Sequence, residues 1–339
     1  MNAVKPNGSF KMRSSLSILR GCLSIVAMVL VAGCRPAGAP DAGGAGGAGD
    51  VYTIGMSQCN RNEPWRVQMD ADVKAAAEQH ANLKVVFNDA QNDTLMQRSH
   101  VEDFVSAGVD LLIISPKETD PLTKPVAEAY DAGIPVIVLD RAVGGDKFTC
   151  FIGADNVAIG RAAGEWIVEK LGGKGKVVEL KGLMTTEPGK DRHKGFREAI
   201  AGTDVEVIFE ADMEWLEDRA RQEMESALDR FPEIDAVYGH NDPAAHGAYL
   251  AAKAAGREKD MLFVGIDALP HEGVAYVQKG ILDATFQYPT GGAEAIDVAL
   301  KIFGGEKVPK KITLGSRVFT AENVAKGGEE LKMEEEAKP

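Results

Sequence analysis

From Val51 to Phe319, short β-branched runs alternate with amphipathic stretches, and the alternation runs through twice. Val51–Ser57 is the first run, after which Met69, Val73, Ala76 and Ala77 fall on one helical face. Leu83–Phe87, Leu111–Ser115 and Ile134–Leu139 follow as strands. Between them lie helical stretches marked by Val101, Phe104 and Val105, then by Val126, Ala129 and Tyr130. Gly108 and Gly133 stand where helix C-caps belong. The rhythm restarts at Phe148–Gly153, ahead of a helix carrying Ile159, Ala163, Trp166 and Ile167, with Trp166 expected in the core. It continues through Lys176–Leu180, Val205–Phe209, Ala236–Tyr238, Leu262–Ile266 and Ala284–Gln287. Nearly continuous apolar strands between amphipathic helices build parallel sheets covered on both faces. Two such series predict an α/β chain of two similar Rossmann-like lobes.

The 339 residues suffice for two such lobes, and 45% hydrophobic with 26% charged residues is the balance of a soluble globular chain. The net charge is −13, and the first 33 residues hold Lys5, Lys11, Arg13 and Arg20 but no acid, which leaves −17 on the remainder. A body that acidic repels phosphate backbones, so nucleic acid is not an expected partner.

Basic residues through Arg20 precede an apolar run, Leu23–Ala32, that is too short for an ordinary transmembrane helix. The run ends in Val31-Ala32-Gly33-Cys34, which resembles a bacterial lipobox. That resemblance implies a signal peptide over 1–33, cleavage ahead of Cys34 and lipidation of Cys34. A plain signal peptide or an uncut anchor are the other readings of the segment. Residues 34–50 are mostly Gly and Ala and read as a tether reaching roughly 20–25 Å. An exported protein held at a membrane, facing the periplasm or cell exterior, is expected. Cys59 and Cys150 are the remaining cysteines of the body and are expected as free thiols.

In open parallel sheets ligands sit beyond the carboxyl ends of the strands. Those positions here are Ser57–Arg66, Ser115–Lys117, Asp140–Arg141, Gly182–Arg192, Asp212–Trp215, Gly239–Asp242, Asp267 and Gln287. They are rich in Asp, Arg, Asn and Trp. Carboxylates and amides exchange hydrogen bonds with hydroxyls, Arg forks hold adjacent oxygens, and an indole covers an apolar CH face. A small polyhydroxylated ligand fits that set. Taken singly, Asp140-Arg141 reads equally as a structural ion pair, and Asn241, Asp242 and Asp267 as turn or helix-cap residues. His193, His240 and His246 read as surface or packing residues.

Gly55-Met56-Ser57-Gln58 with Glu63-Pro64-Trp65-Arg66, Leu139-Asp140-Arg141, Ala154-Asp155-Asn156, Asp191-Arg192 with Gly195-Phe196, Gly239-His240-Asn241-Asp242 and Val264-Gly265-Ile266-Asp267 recur in a set order. In that order and spacing the chain resembles the ribose- and galactofuranose-binding members of the type I periplasmic sugar-binding proteins. The resemblance implies a periplasmic-binding-protein-like fold with a three-segment hinge, with crossings near Ala154, Gln287 and Leu314. It divides the body into a lobe of 51–153 plus 288–314 and a lobe of 154–287 plus 315–328, ahead of a charged tail at 329–339. It also implies a monosaccharide ligand, no cofactor, a monomer, and delivery to the permease of an ABC importer with its ATPase. Carried over by position, Asp140, Arg141, Arg192, Asn241, Asp267 and Gln287 are the polar set and Trp65 and Trp215 the apolar platforms. Ser57, Glu63 and Arg66 complete the candidate site. The ribose branch has Asn-Pro-Phe-Phe where this chain has Glu63-Pro64-Trp65-Arg66. Arg66 in place of an aromatic plate points away from ribose in its pyranose form, toward a furanose, another aldose or a sugar acid. Glu63 either meets the ligand or holds Arg66.

An enzyme is not indicated. The chain lacks a nucleophile elbow, a P-loop, a zinc-spaced His/Cys cluster and a glycine fingerprint after its first strand, so an exported sugar-processing enzyme is a remote alternative. Gly172-Gly173-Lys174-Gly175 falls between a helix and a strand, as a turn. The calcium-loop pattern is also missing, so no metal is expected. Service to a membrane sensor or chemoreceptor is the alternative to import, because a fold does not fix its downstream partner.

Overall fold

The computed structural model describes residues 51–332. The segments expected as signal peptide and tether, Cys34 between them, and the end of the expected tail lie outside the described residues. The first lobe runs β1 (Tyr52–Gln58), α1 (Pro64–Ala77), β2 (Leu83–Asp89), α2 (Thr94–Ala107), β3 (Leu111–Ser115), α3 (Thr119–Asp131), β4 (Val136–Leu139) and β5 (Cys150–Ala154). The second runs α4 (Asn156–Lys170), β6 (Lys174–Lys181), α5 (Glu187–Ile200), β7 (Asp204–Asp212), α6 (Glu217–Arg230), β8 (Ala236–Gly239), α7 (Asp242–Ala254), β9 (Leu262–Asp267), α8 (Gly273–Gln278) and β10 (Ala284–Gln287). Then come α9 (Gly292–Phe303), β11 (Lys311–Leu314), β12 (Arg317–Thr320) and β13 (Glu329–Glu330).

Among the described residues the strands form a six-stranded sheet, β11-β5-β4-β3-β1-β2, and a seven-stranded sheet, β13-β12-β10-β9-β8-β6-β7. The first sheet is parallel throughout. The second is parallel until β12 and β13 add antiparallel at its edge. β3 and β4 are buried along their whole length, as helices on both faces require. The chain crosses between sheets three times: after Ala154, after Gln287, and between Leu314 and Arg317. After the second crossing α9 returns to lie on α1, so close that a Cβ on Gly292 would stand 2.9 Å from the Met69 carbonyl oxygen.

Charge alone assigns Glu329 and Glu330 to the tail, but both pair with β12. Arg317 fixes that edge by donating from Nε and Nη2 to the carbonyls of Gly327 and Gly328, with Nη1 3.5 Å from Glu330. Trp166 is half-buried against the core, with Lys170 lying over its ring. Cys59 and Cys150 are buried free thiols. No helix among the described residues is long and apolar enough to cross a membrane.

One packing detail sets the site. A Cβ on Gly160 would stand 2.4 Å from the Arg192 carbonyl oxygen, and one on Gly195 would stand 2.0 Å from that of Val157. α4 and α5 therefore meet backbone to backbone, which only glycine allows. That contact fixes the turn of α5 that carries Arg192.

Candidate functional site

Between the two sheets, beyond the carboxyl ends of their strands, lies a cavity of about 290 Å³. Glu63, Trp65, Arg66, Asp140 and Arg141 line it from the first lobe. Pro188, Arg192, Trp215, Asn241 and Asp267 line it from the second, and Tyr288 from the second crossing.

In the first lobe, Pro64 starts α1 and places Trp65 and Arg66 in its first turn. Arg66 donates from Nη1 to Ser115 Oγ at 2.7 Å, and its Nη2 lies 2.8 Å from Asp140 Oδ2. Arg141 donates from Nη1 to the Lys117 carbonyl at 3.2 Å, with Nε 3.7 Å from Asp140. Burial alone raises the Asp140 carboxyl, but the guanidiniums of Arg66 and Arg141 outweigh it and hold the group below its ordinary range. The Trp65 indole donates to the Tyr288 carbonyl at 2.8 Å, which ties the first lobe to the crossing.

In the second lobe, Arg192 donates from Nε to Asn156 Oδ1 at 2.9 Å and from Nη1 to the His240 carbonyl at 2.5 Å. Its guanidinium lies over Tyr288 at 4.8 Å and Trp215 at 5.4 Å from the ring centroids. Asn241 caps α7 by accepting from the Ala244 N–H, while its Nδ2 donates to the Trp215 carbonyl at 3.1 Å. The Trp215 ring covers Gly182, where a Cβ would stand 2.1 Å from it. Asp267 ends β9 with Oδ1 3.6 Å from Arg192 Nη1. Its burial drives the carboxyl well upward, more than Arg192 lowers it.

Two features set this cavity apart. Among the described residues, seven non-glycine residues have left-handed backbone, and Asp140, Glu214, Trp215, Asp267 and Ala268, at or next to its lining, are five of them. Such conformations persist where the surroundings over-determine them, which is common at functional sites. Three buried N–H groups of the lining residues, Arg66 Nε, Arg141 Nε and Trp215 Nε1, also have no hydrogen-bond partner in the protein, with Arg66 Nε 3.7 Å from Glu63 and Arg141 Nε 3.7 Å from Asp140. Orphaned buried donors are costly.

The structure brings Glu63, Trp65, Arg66, Asp140, Arg141, Arg192, Trp215, Asn241 and Asp267 to one cavity. Glu63 lies 2.7 Å from Asn60 Nδ2 and 3.7 Å from Arg66 Nε, so it both lines the cavity and faces Arg66. Two candidates stay outside. Ser57 sits inside β1 and turns its hydroxyl toward His100 Nδ1 at 3.4 Å, because strand alternation points it to the α2 side. Gln287 lines an adjoining depression with Gln68 and Asp72, one that shares Asp267 and Tyr288 with the cavity. Pro188 and Tyr288 are not singled out by the sequence. Pro188 lies within the strand-end segment Gly182–Arg192, whereas Tyr288 follows Gln287 by one residue.

Of the histidines, His240 is fully buried and His193 partly so; both contact the buried Glu179 carboxylate. Glu179, His193 and Glu210 stand close enough together to hold a metal, but Arg197 already bridges the two carboxylates.

The family model for the periplasmic binding protein domain matches residues 54–307. The chain is 33% identical to the ribose import binding protein RbsB of Bacillus subtilis, over 79% of this chain and 87% of that one. It is 32% identical to the galactofuranose-binding protein YtfQ of Escherichia coli, over 83% of this chain and 90% of that one. Among solved structures it is similar to the fructose binding periplasmic domain of a hybrid two component system, with a TM-score of 0.78 and 44% identity, covering 81% of this chain and 93% of that one. The chain belongs to the periplasmic binding protein domain family, as one of the type I proteins of the ribose- and galactofuranose-binding kind.

Proposed function

We propose that the protein captures a monosaccharide in its furanose form, fructose first among the candidates, in the cavity between its lobes. The observation that carries this reading is one cavity lined from both lobes by Arg66, Arg141, Arg192 and Trp215 together with Glu63, Asp140 and Asp267, in which Arg66 Nε, Arg141 Nε and Trp215 Nε1 are buried without a hydrogen bond in the protein. A sugar ring supplies acceptor oxygens for the donors and hydroxyl protons for the carboxylates, and its CH face meets an indole. The similarity to a galactofuranose-binding protein supports a furanose ring, and that to a fructose binding domain supports fructose as a candidate. The lobes close on the sugar about the three crossings, with Tyr288 as the fulcrum against Arg192. The protein acts by binding alone and as a monomer.

Delivery to an ABC importer, from an anchor on lipidated Cys34, is the accompanying proposal, supported by the ribose import relative and the lipobox-like segment. A second reading, in which the loaded protein feeds a membrane sensor, draws support from the two component relative. Crosslinking in intact cells separates them by recovering a permease or a kinase. Fatty-acid labelling that is lost in Cys34→Ala tests the anchor.

A thermal-shift screen of fructose, galactose, arabinose, ribose, sugar acids and polyols tests the ligand class. A ligand at a hundred times its dissociation constant adds about 2.7 kcal/mol. A response to fructose above the aldoses supports fructose as the ligand, a crystal structure of the complex reads its ring form, and no response to any sugar contradicts the sugar-binding reading.

A further inference from the structure

We infer that Asp242, which does not line the cavity, is a positioning residue that fixes the backbone turn presenting Asp267 to the sugar. The inference rests on the sugar-binding reading above for its functional meaning, but its structural content stands without a ligand.

Asp267 and Ala268 are consecutive non-glycine residues in the left-handed region, with φ of 123° and 51°. The Asp267 side chain meets the Arg192 guanidinium at 3.6 Å, and the Asp267 carbonyl accepts from the Tyr288 N–H at 3.3 Å. The next peptide is held from behind. Asp242 Oδ2 accepts from the Ala268 N–H at 2.7 Å, and its Oδ1 lies 2.6 Å from Thr285 Oγ1. Asp242 is fully buried, and two neighbouring elements make room for it. A Cβ on Gly265 in β9 or on Gly273 in α8 would stand 2.3 Å or 2.0 Å from its oxygens. Arg192, Glu272 and Asp267 are the charged groups near it; burial first and then Glu272 raise its carboxyl to about 8, against the two hydrogen bonds and Arg192.

Asn241, the preceding residue, does the same for the other strained turn. Its two polar atoms are used on the Ala244 N–H and the Trp215 carbonyl, and Glu214 and Trp215 have φ of 51° and 70°. The start of α7 therefore braces both non-glycine left-handed turns described in the second lobe, one through Asn241 and one through Asp242.

The test uses fructose as the probe on the wild type, Asp242→Ala, Asp267→Asn and the double variant. Asp242→Ala, which removes both side-chain oxygens, is expected to weaken fructose binding about tenfold through the lost acceptor at Ala268. In the Asp267→Asn background it is expected to add nothing further. Ala268→Gly, which adopts a positive φ without steric cost, should restore part of the loss. A merely structural role would lower affinity equally in both backgrounds, and that additivity, or wild-type affinity in Asp242→Ala, overturns the inference. A ligand-free crystal structure of Asp242→Ala tests the same point independently of binding. Asp267 and Ala268 are expected to leave their positive φ values, and retention of both with Asp267 unmoved overturns the inference. If the wild type binds no sugar, the sugar-binding reading fails while that structure still decides the role of Asp242. Should Asp242→Ala not fold, Thr285→Val replaces it, with a weaker loss expected to vanish in the Asp267→Asn background.

Discussion

Arg66 Nη2 stands 2.8 Å from Asp140 Oδ2, with only 3% of either side chain exposed. The pair joins the first turn of α1 to the end of β4 and leaves Arg66 Nε without a hydrogen bond. Two buried charges in contact hold each other's desolvation in check, and removing one exposes the cost of the other. Asp140→Ala should therefore lower stability by about 3–5 kcal/mol in urea unfolding. The paired replacement Arg66→Met with Asp140→Leu should cost less than Asp140→Ala alone. A loss under about 1 kcal/mol on Asp140→Ala would mean that the pair is effectively solvated.

Trp215 carries an unpartnered Nε1 on a ring packed over Gly182. Trp215→Phe keeps an aromatic face and removes the donor. About a tenfold loss of sugar affinity is expected, together with a lower melting temperature of the empty protein, because the smaller ring leaves part of the space over Gly182 unfilled. Calorimetry with a parallel thermal melt checks this, and unchanged affinity would leave Trp215 as a stacking surface only.

Glu179 makes acid stability specific to one group. Its Oε1 meets His193 Nδ1 at 2.8 Å and His240 Nε2 at 3.1 Å, and its Oε2 accepts from Arg197 Nε at 3.0 Å. Burial raises this carboxyl, but the histidine hydrogen bonds outweigh that and bring it from 4.5 down to about 2. A depressed acid stabilises the fold above its unfolded value and loses that contribution as pH falls through its folded value. The melting temperature should fall steeply between about pH 4.5 and 2. Glu179→Gln should flatten that slope and cost roughly 3 kcal/mol at neutral pH. Parallel acid slopes in the two proteins would contradict the assignment.

The two-lobed α/β plan was legible in the sequence because β3, β4 and their counterparts are continuous apolar runs, a pattern that only a doubly covered sheet satisfies. The strand-end rule likewise collected Arg66, Asp140, Arg192 and Trp215, since it depends on strand direction alone. It is less informative where side-chain orientation decides: Ser57, one residue short of the end of β1, turns to α2, and Gln287 lines the adjoining depression while Tyr288 lines both. The bracing of Asp267 by Asp242 depends on φ values and on glycines from β9 and α8, which no spacing in the sequence reveals. The edge strand at Glu329–Glu330 was hidden by its own charge, because Arg317 and not burial holds it.

Calorimetric titration of fructose into the wild type and Arg192→Ala tests the central claim most directly. Arg192 meets Asn156, the His240 carbonyl and Tyr288 and approaches Asp267, so it joins the second lobe to the crossing at the cavity. A saturable one-to-one isotherm is predicted for the wild type, with affinity lowered by about 2–5 kcal/mol in a folded Arg192→Ala. No binding of fructose or any other furanose-forming sugar by the wild type, or equal affinity in Arg192→Ala, would contradict a sugar site between the lobes.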